Sequence, residues 1–138
     1  MKTFIALAAA ATMTAGSAFA AAHAMADSVT ASDQDVSNGV VSADMVTAGQ
    51  NGWLVVHRTD AEMAPGPVVG YAPLRAGENT DVAAILQEEI ASGDMLMLMV
   101  HGEDGGTATG VFEYTLGATE DGPVRPDGEL VMAVITAQ

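Results

Sequence analysis

Residues 95–101 read Met-Leu-Met-Leu-Met-Val-His, the most strongly patterned apolar run of the chain. Side chains alternate along a β-strand, so a strand here would carry thioethers and an imidazole on one face and aliphatic side chains on the other. Residues 53–57, Trp-Leu-Val-Val-His, are apolar on both faces in the same way. Two such strands predict a β-sheet that is covered on both sides.

Turn-forming residues such as Asn38-Gly39 and Ser92-Gly93 recur about every ten residues. Between them lie runs rich in Val, Leu, Ile and Met, at 40–47, 53–57, 68–74, 95–101, 111–114 and 129–136. This spacing predicts an all-β fold: a single β-sandwich of Ig-like or cupredoxin-like size, with about 7–8 short strands and at most one short helix near 81–91.

Residues 81–91 fit two structures. Their apolar residues fall on one helical face, yet Val82, Ala84 and Leu86 also alternate as in a strand. We expect a strand to about Leu86, followed by a helical turn. The second apolar face of strands 53–57 and 95–101 needs a cover, which this segment, the N-terminal arm or another chain could supply.

The N-terminus is typical of an export signal. Lys2 precedes an apolar, Ala-rich stretch that is too short to span a bilayer and ends at Ser17-Ala18-Phe19-Ala20. We therefore expect a signal peptide at 1–20, a flexible N-terminus at 21–27, and one β-sandwich domain at 28–138. Cleavage after Ala24 or Ala26 also fits the small-residue rule. The protein would then be periplasmic or secreted, with no membrane insertion after processing.

The composition excludes several classes of partner and chemistry. The 138 residues include 18 acidic and 4 basic residues, for a formal charge of −14, and no Cys. Binding to nucleic acid or anionic lipid needs Lys and Arg, so neither partner is expected. The absence of Cys excludes disulfides, thiolate catalysis and Cys-ligated metals. Removing residues 1–20 would take away the single lysine and lower the charge to −15, so salt should stabilise the fold.

Several short motifs follow one another in order and span most of the chain from about Ser28. They are Asp33-Gln34, Gly52-Trp53-Leu54-Val55-Val56-His57, Gly66-Pro67-Val68-Val69-Gly70, Ala76-Gly77, Met99-Val100-His101 and Asp121-Gly122-Pro123-Val124. In this order they resemble an uncharacterised family of exported domains of bacterial and haloarchaeal secreted or surface proteins. The resemblance implies a compact β-rich fold and an extracytoplasmic setting.

Two histidines are candidate metal ligands. His57 and His101 each close an apolar strand, and Met63, Met97 and Met99 lie near one or the other histidine in sequence. Imidazole suits copper or zinc, and thioether suits Cu⁺. A shared ion requires that the two histidines reach the same rim; antiparallel neighbouring strands in matched register would place them at opposite rims. The alternative is two histidines that bond loop backbone beside methionines that only pack.

A second metal site depends on cleavage after Ala20. The new terminus, Ala21-Ala22-His23, would offer an amine, two amides and an imidazole in one plane, which suits Cu²⁺ or Ni²⁺. Acidic loops at Asp33, Asp35 and 103–106 give only a weak calcium pattern.

No catalytic motif is present in the chain. It contains no G-x-S-x-G, HExxH, Walker loop or GxGxxG following a strand. We therefore expect no enzyme, but an exported binding or interaction module whose partner is an unknown protein or small ligand, with a homo-oligomer also open. The alternative function is periplasmic copper handling through His57, His101 and methionines. Apart from copper, no cofactor is expected.

Overall fold

The computed structural model describes residues 25–138. The strands are β1 Ser28–Thr30, β2 Val40–Ala48, β3 Gly52–Thr59, β4 Val68–Leu74, β5 Gly77–Leu86, β6 Met95–Gly102 and β7 Met132–Thr136. Within the described residues the only helical element is a single 3₁₀ turn at Pro126–Gly128. The predicted all-β class is confirmed.

The seven strands form one antiparallel sheet in the order β1-β2-β5-β4-β3-β6-β7. The chain after β1 returns to the far edge, where Gln34 and Ala137 form a parallel bridge and the Gln138 N–H donates to the Gln34 carbonyl at 2.9 Å. These contacts bring the two edges together. The sheet is therefore nearly closed, like a small barrel, and its two halves pack as the layers of a sandwich would.

The core fills the inside of this closed sheet. It is built from aliphatic residues that alternate along the strands, chiefly from β2, β3 and β6. The fully buried members of the core include Val41, Val46, Leu54, Val56, Leu96 and Leu98. In β3 and β6 the residues between these point outward, and they are buried as well. Both faces of these two strands are thus covered.

Two local expectations are wrong. No helical turn follows Leu86, because residues 87–91 run as an irregular connection to the turn before β6. Residues 111–114 are not a strand either. Their Val-Phe-Glu-Tyr alternation is that of a strand, but the aromatic side chains pack onto the outside of the sheet and the backbone pairs with no neighbour.

The outer face of β3 and β6 is covered by residues 103–121, which we call the covering loop. Its two ends meet, since the Gly102 N–H donates to the Gly122 carbonyl at 3.0 Å. Phe112 stacks on Tyr71 of β4, with ring centroids 4.2 Å apart. The segment 81–91, one of the three candidates for this cover, does not supply it, because most of that segment belongs to β5.

Candidate metal centre

His57 and His101 lie under the covering loop, in the neighbouring antiparallel strands β3 and β6. In the ladder they stand on either side of the Val55–Met99 pair. Contrary to the expectation, antiparallel pairing in matched register does not keep the two histidines apart at opposite rims, because their side chains meet. Each strand continues past its histidine, to Thr59 in β3 and to Gly102 in β6, and each imidazole leans along its strand toward the other.

The two imidazoles meet edge to edge. Their Nε2 atoms are 3.3 Å apart, the ring centroids are 5.4 Å apart, and the ring planes differ by 30°. Because the nitrogens are closer together than the centroids, the Nε2 edges of the rings face each other. Two nitrogens bound to one metal ion are about 3 to 4 Å apart, so this spacing suits a shared ion.

The other ring nitrogen of each histidine faces a carbonyl. His57 Nδ1 lies 2.8 Å from the Gly66 carbonyl oxygen, and His101 Nδ1 lies 2.7 Å from that of Asp121. A carbonyl only accepts, so both Nδ1 atoms carry hydrogen. A neutral imidazole has one N–H, which leaves both Nε2 atoms bare. The pair thus makes three polar contacts with two hydrogens, and two lone pairs face each other.

Burial keeps both imidazoles neutral. His57 is 0% exposed and His101 is 1% exposed. Burial lowers the pKa of His57, an effect opposed by its bond to the Gly66 carbonyl. Burial also lowers the pKa of His101 to about 4; the bond to the Asp121 carbonyl opposes this effect, and the nearby His57 adds a smaller lowering contribution. At neutral pH neither ring holds a second proton.

The carbonyl that faces His57 belongs to Gly66, where the chain passes very close to the backbone of Arg58. The Gly66 N–H donates to the Arg58 carbonyl at 2.8 Å, and a Cβ on Gly66 would lie 2.6 Å from that oxygen. The carbonyl that orients His57 is therefore held by a tight turn that only glycine fits.

Asp121 provides the carbonyl that faces Nδ1 of His101. It has a positive φ of 46° and is 1% exposed. Its Oδ2 accepts the Glu113 N–H at 2.8 Å, while its carbonyl accepts from His101. One residue thus ties the covering loop to a candidate ligand.

The candidate methionines share the outer face with the histidines. Met97 stands opposite His57 in the ladder, and Met99 stands opposite Val55, between the two histidines. Met97 is 0% exposed and Met99 is 1% exposed. Met132 of β7 pairs with Met99, so a third thioether lies on the same face. Sequence reasoning missed Met132, because its register to β6 depends on long-range pairing.

Tyr114 closes the site from above. Its ring is nearly perpendicular to that of His101, with centroids 4.5 Å apart, and lies 5.9 Å from the His57 ring. Tyr114 also helps to line a surface groove of about 330 Å³, together with Pro67, Val68, Tyr71, Gln87, Phe112, Thr115 and Leu116. Tyr114 is therefore shared by the histidine pair and this groove. Sequence reasoning assigned it to a strand and so missed this position.

The remaining candidates do not join this site. His23 lies outside the described residues. The Asp33 carboxylate accepts the Thr136 N–H at 2.7 Å, and Asp35 accepts the Ser37 N–H at 2.9 Å; both are used within the fold. Among residues 25–138 no group of three or more His, Cys, Asp or Glu side chains could hold a metal. In this part of the chain a third His, Cys, Asp or Glu therefore does not join the two histidines.

No helix in the described part of the chain is long and apolar enough to cross a membrane. No curated protein and no solved structure matches this chain. Residues 27–138 match one family, described as a domain of unknown function. Since the match covers nearly all of the described residues, the chain belongs to this family, Domain of unknown function (DUF7282).

Proposed function

We propose that this protein is an exported, non-enzymatic binding module that holds one Cu⁺ ion between the Nε2 atoms of His57 and His101. The observation that carries the proposal is the meeting of two bare ring nitrogens at 3.3 Å, each with its hydrogen committed to a carbonyl on the far side. Two facing lone pairs repel, and burial keeps water away from them. A cation between them removes the repulsion.

A proton is the simplest such cation, but burial opposes it. The pKa of each histidine is lowered, for His101 to about 4. At neutral pH the shared proton would therefore be lost, and the pair would again lack a cation. A metal ion binds the neutral form of imidazole and needs no such protonation.

The donors favour a soft, monovalent ion. The neighbouring groups on the same face are thioethers, Met97 opposite His57 and Met99 between the histidines, and thioether ligands select Cu⁺. Zn²⁺ takes four ligands in a tetrahedral arrangement, and the described residues offer two nitrogens. A single positive charge also costs less to bury than a double one.

The cellular setting is part of the proposal. Residues 1–20 have the pattern of a signal peptide, and the motifs from Asp33-Gln34 onward resemble exported domains. These features support a periplasmic or secreted location. An unidentified protein, a small ligand and a second copy of this chain all stay predicted partners.

The test is a competition for Cu⁺ under anaerobic conditions against a chromogenic chelator, with Ag⁺ as a redox-stable substitute. We expect one ion bound per chain. His57→Gln and His101→Gln should each weaken binding by more than about 100-fold, since even the loss of a group that orients a ligand costs 10- to 100-fold.

Two matched controls isolate the site. Met63→Leu removes a thioether that is 51% exposed, and His23→Ala removes the remaining histidine; both should leave the affinity for Cu⁺ unchanged. Failure of the unmodified protein to bind either ion contradicts the proposal, whether or not the variants fold. So does binding that survives the double His57→Gln, His101→Gln change.

A further inference from the structure

The covering loop is tied to the sheet at its ends and is self-contained between them. At the ends, the Gly102 N–H donates to the Gly122 carbonyl at 3.0 Å and the Asp121 N–H donates to the Asp104 carbonyl at 2.8 Å. In between, the hydrogen bonds of residues 105–119 stay within the loop. The Glu113 carboxylate, for example, accepts the N–H groups of Thr107 and Ala108. A closed loop of this kind can lift as a unit about its ends.

Aromatic packing holds the middle of the loop down. Phe112 stacks on Tyr71 at a centroid distance of 4.2 Å and lies against Trp53 at 5.5 Å. Tyr114 packs on His101 at 4.5 Å. The two contacts of Phe112 join positions 41 and 59 residues apart in sequence, and the contact of Tyr114 joins positions 13 residues apart. Lifting the loop would break all of them without disturbing a strand pairing.

The closed position also carries a cost. Among residues 25–138, the indole N–H of Trp53 is the single buried side-chain donor without a hydrogen-bond partner. A buried donor without a partner is destabilising relative to the hydrated donor. Trp53 lies against Phe112, so lifting the loop would let water reach this N–H and would offset part of the lost packing.

We propose that the covering loop is a gate for the metal site, with the Phe112–Tyr71 stack as its latch and Tyr114 as the closing side chain. The inference rests on the proposed function. Tyr114 is the common wall of the histidine pair and the surface groove, so lifting the loop connects the two. The latch sets the rate at which an ion enters and leaves, and the histidines set the affinity.

A metal-independent experiment tests the gate first. Diethyl pyrocarbonate modifies a neutral imidazole that it can reach, and peptide mapping resolves each histidine. In the metal-free protein, Phe112→Ala should raise the modification rates of His57 and His101 about tenfold, the factor expected for the loss of one aromatic pair. The matched control is Val111→Ala, because Val111 is 54% exposed; it should leave both rates unchanged.

Metal kinetics test the gate second. Ag⁺ uptake can be followed by the fluorescence of Trp53, the single tryptophan. Phe112→Ala should speed both uptake and release about tenfold and change the dissociation constant by less than about threefold. If the unmodified protein takes up no Ag⁺, the proposed function fails, and the modification rates still decide whether the loop opens.

Equal modification rates of His57 and His101 in the unmodified protein and in a folded Phe112→Ala variant would contradict the proposed gate. If that variant does not fold, amide hydrogen exchange of the unmodified protein decides. Residues 105–119 should exchange through an opening that leaves β3 and β6 protected, and exchange of the loop only together with these strands contradicts the inference.

Discussion

The protonation of His57 and His101 links the site to the stability of the fold. In the unfolded chain each imidazole titrates near its ordinary pKa of 6.5, whereas burial lowers the pKa of both in the folded protein, for His101 to about 4. At a pH between the pKa of the folded protein and that of the unfolded chain, the unfolded chain binds more protons than the folded protein. The stabilisation is therefore complete above 6.5 and is lost as the pH falls toward 4.

We expect the metal-free protein to lose about 2 kcal/mol of unfolding free energy between about pH 7.5 and about pH 5 through His101 alone. Urea unfolding at the two pH values measures this loss, and His101→Gln should show a smaller one. Carboxyl groups such as Asp94 and Glu113 act at lower pH, because their pKa values are lowered from 3.8 and 4.5. An unfolding free energy that is equal at both pH values contradicts the assignment.

Asp121 gives a second prediction for a single residue. Asn can keep the bond from the Glu113 N–H and tolerates the positive φ of 46°. We expect Asp121→Asn to cost less than about 1 kcal/mol and Asp121→Ala about 2 kcal/mol or more, since Ala loses the buried acceptor and is strained at this φ. Denaturant unfolding of the two variants measures the difference. Equal costs would mean that the carboxylate bond does not hold the loop.

The sequence identified both histidines as candidate ligands, but it did not predict that their side chains meet. The pattern of an apolar run closed by His found both residues, and alternation placed the methionines on the same face. Their meeting depends on how far each strand continues and on which way each ring leans. Gly66 and Asp121 belong to short motifs of the sequence, but these motifs do not show that the two carbonyls orient the rings.

At the level of elements, hydrophobic patterning predicted β3, β4 and β6 closely, because these strands carry most of the buried apolar residues. It missed the start of β5, where Glu78, Asn79, Thr80 and Asp81 are polar and show no alternation. It also took 111–114 for a strand. A pattern of apolar and polar residues does not show whether a segment pairs through its backbone or packs through its side chains.

Matched substitutions on the inner and outer faces of the sheet measure how much each face contributes to the free energy of unfolding. Leu54 in β3 is 0% exposed and points into the core, whereas Ile85 in β5 is 75% exposed. We expect Leu54→Ala to cost about 2 to 5 kcal/mol through the cavity that it leaves, and Ile85→Ala less than about 0.5 kcal/mol. Denaturant unfolding tests both. A similar cost at the two positions would contradict the closed-sheet packing.

At the scale of the whole molecule, charge is the dominant feature. The chain has a formal charge of −14, and the salt bridges of the described residues join Arg58 to Glu88 and Asp94 at an exposed position, where ion pairs contribute little. Salt should therefore stabilise the fold more by screening the repulsion between acidic side chains than it destabilises the fold by weakening these ion pairs. We expect the midpoint of thermal unfolding to rise by roughly 5 °C between about 0.05 M and about 1 M NaCl. A midpoint that falls with salt would contradict this balance.

The closure of the sheet is also a property of the whole molecule. Bonds such as that from the Thr136 N–H to the Asp33 carboxylate connect positions 103 residues apart. A periodic sequence pattern predicts strands and their faces, but it does not predict which edges meet. The spacing of turns and apolar runs therefore predicted the small β-sandwich fold correctly, but it did not predict that the seven strands form one sheet whose edges meet.

The most direct test of the metal centre is the long-range ¹⁵N–¹H NMR spectrum of the imidazoles, recorded without metal and after one equivalent of Ag⁺. Without metal, His57 and His101 should both carry hydrogen on Nδ1 and none on Nε2. With Ag⁺, both Nε2 resonances should shift together while both Nδ1 atoms keep their hydrogens. A hydrogen on either Nε2 in the metal-free protein, or Nε2 resonances that do not move with Ag⁺, would contradict the account.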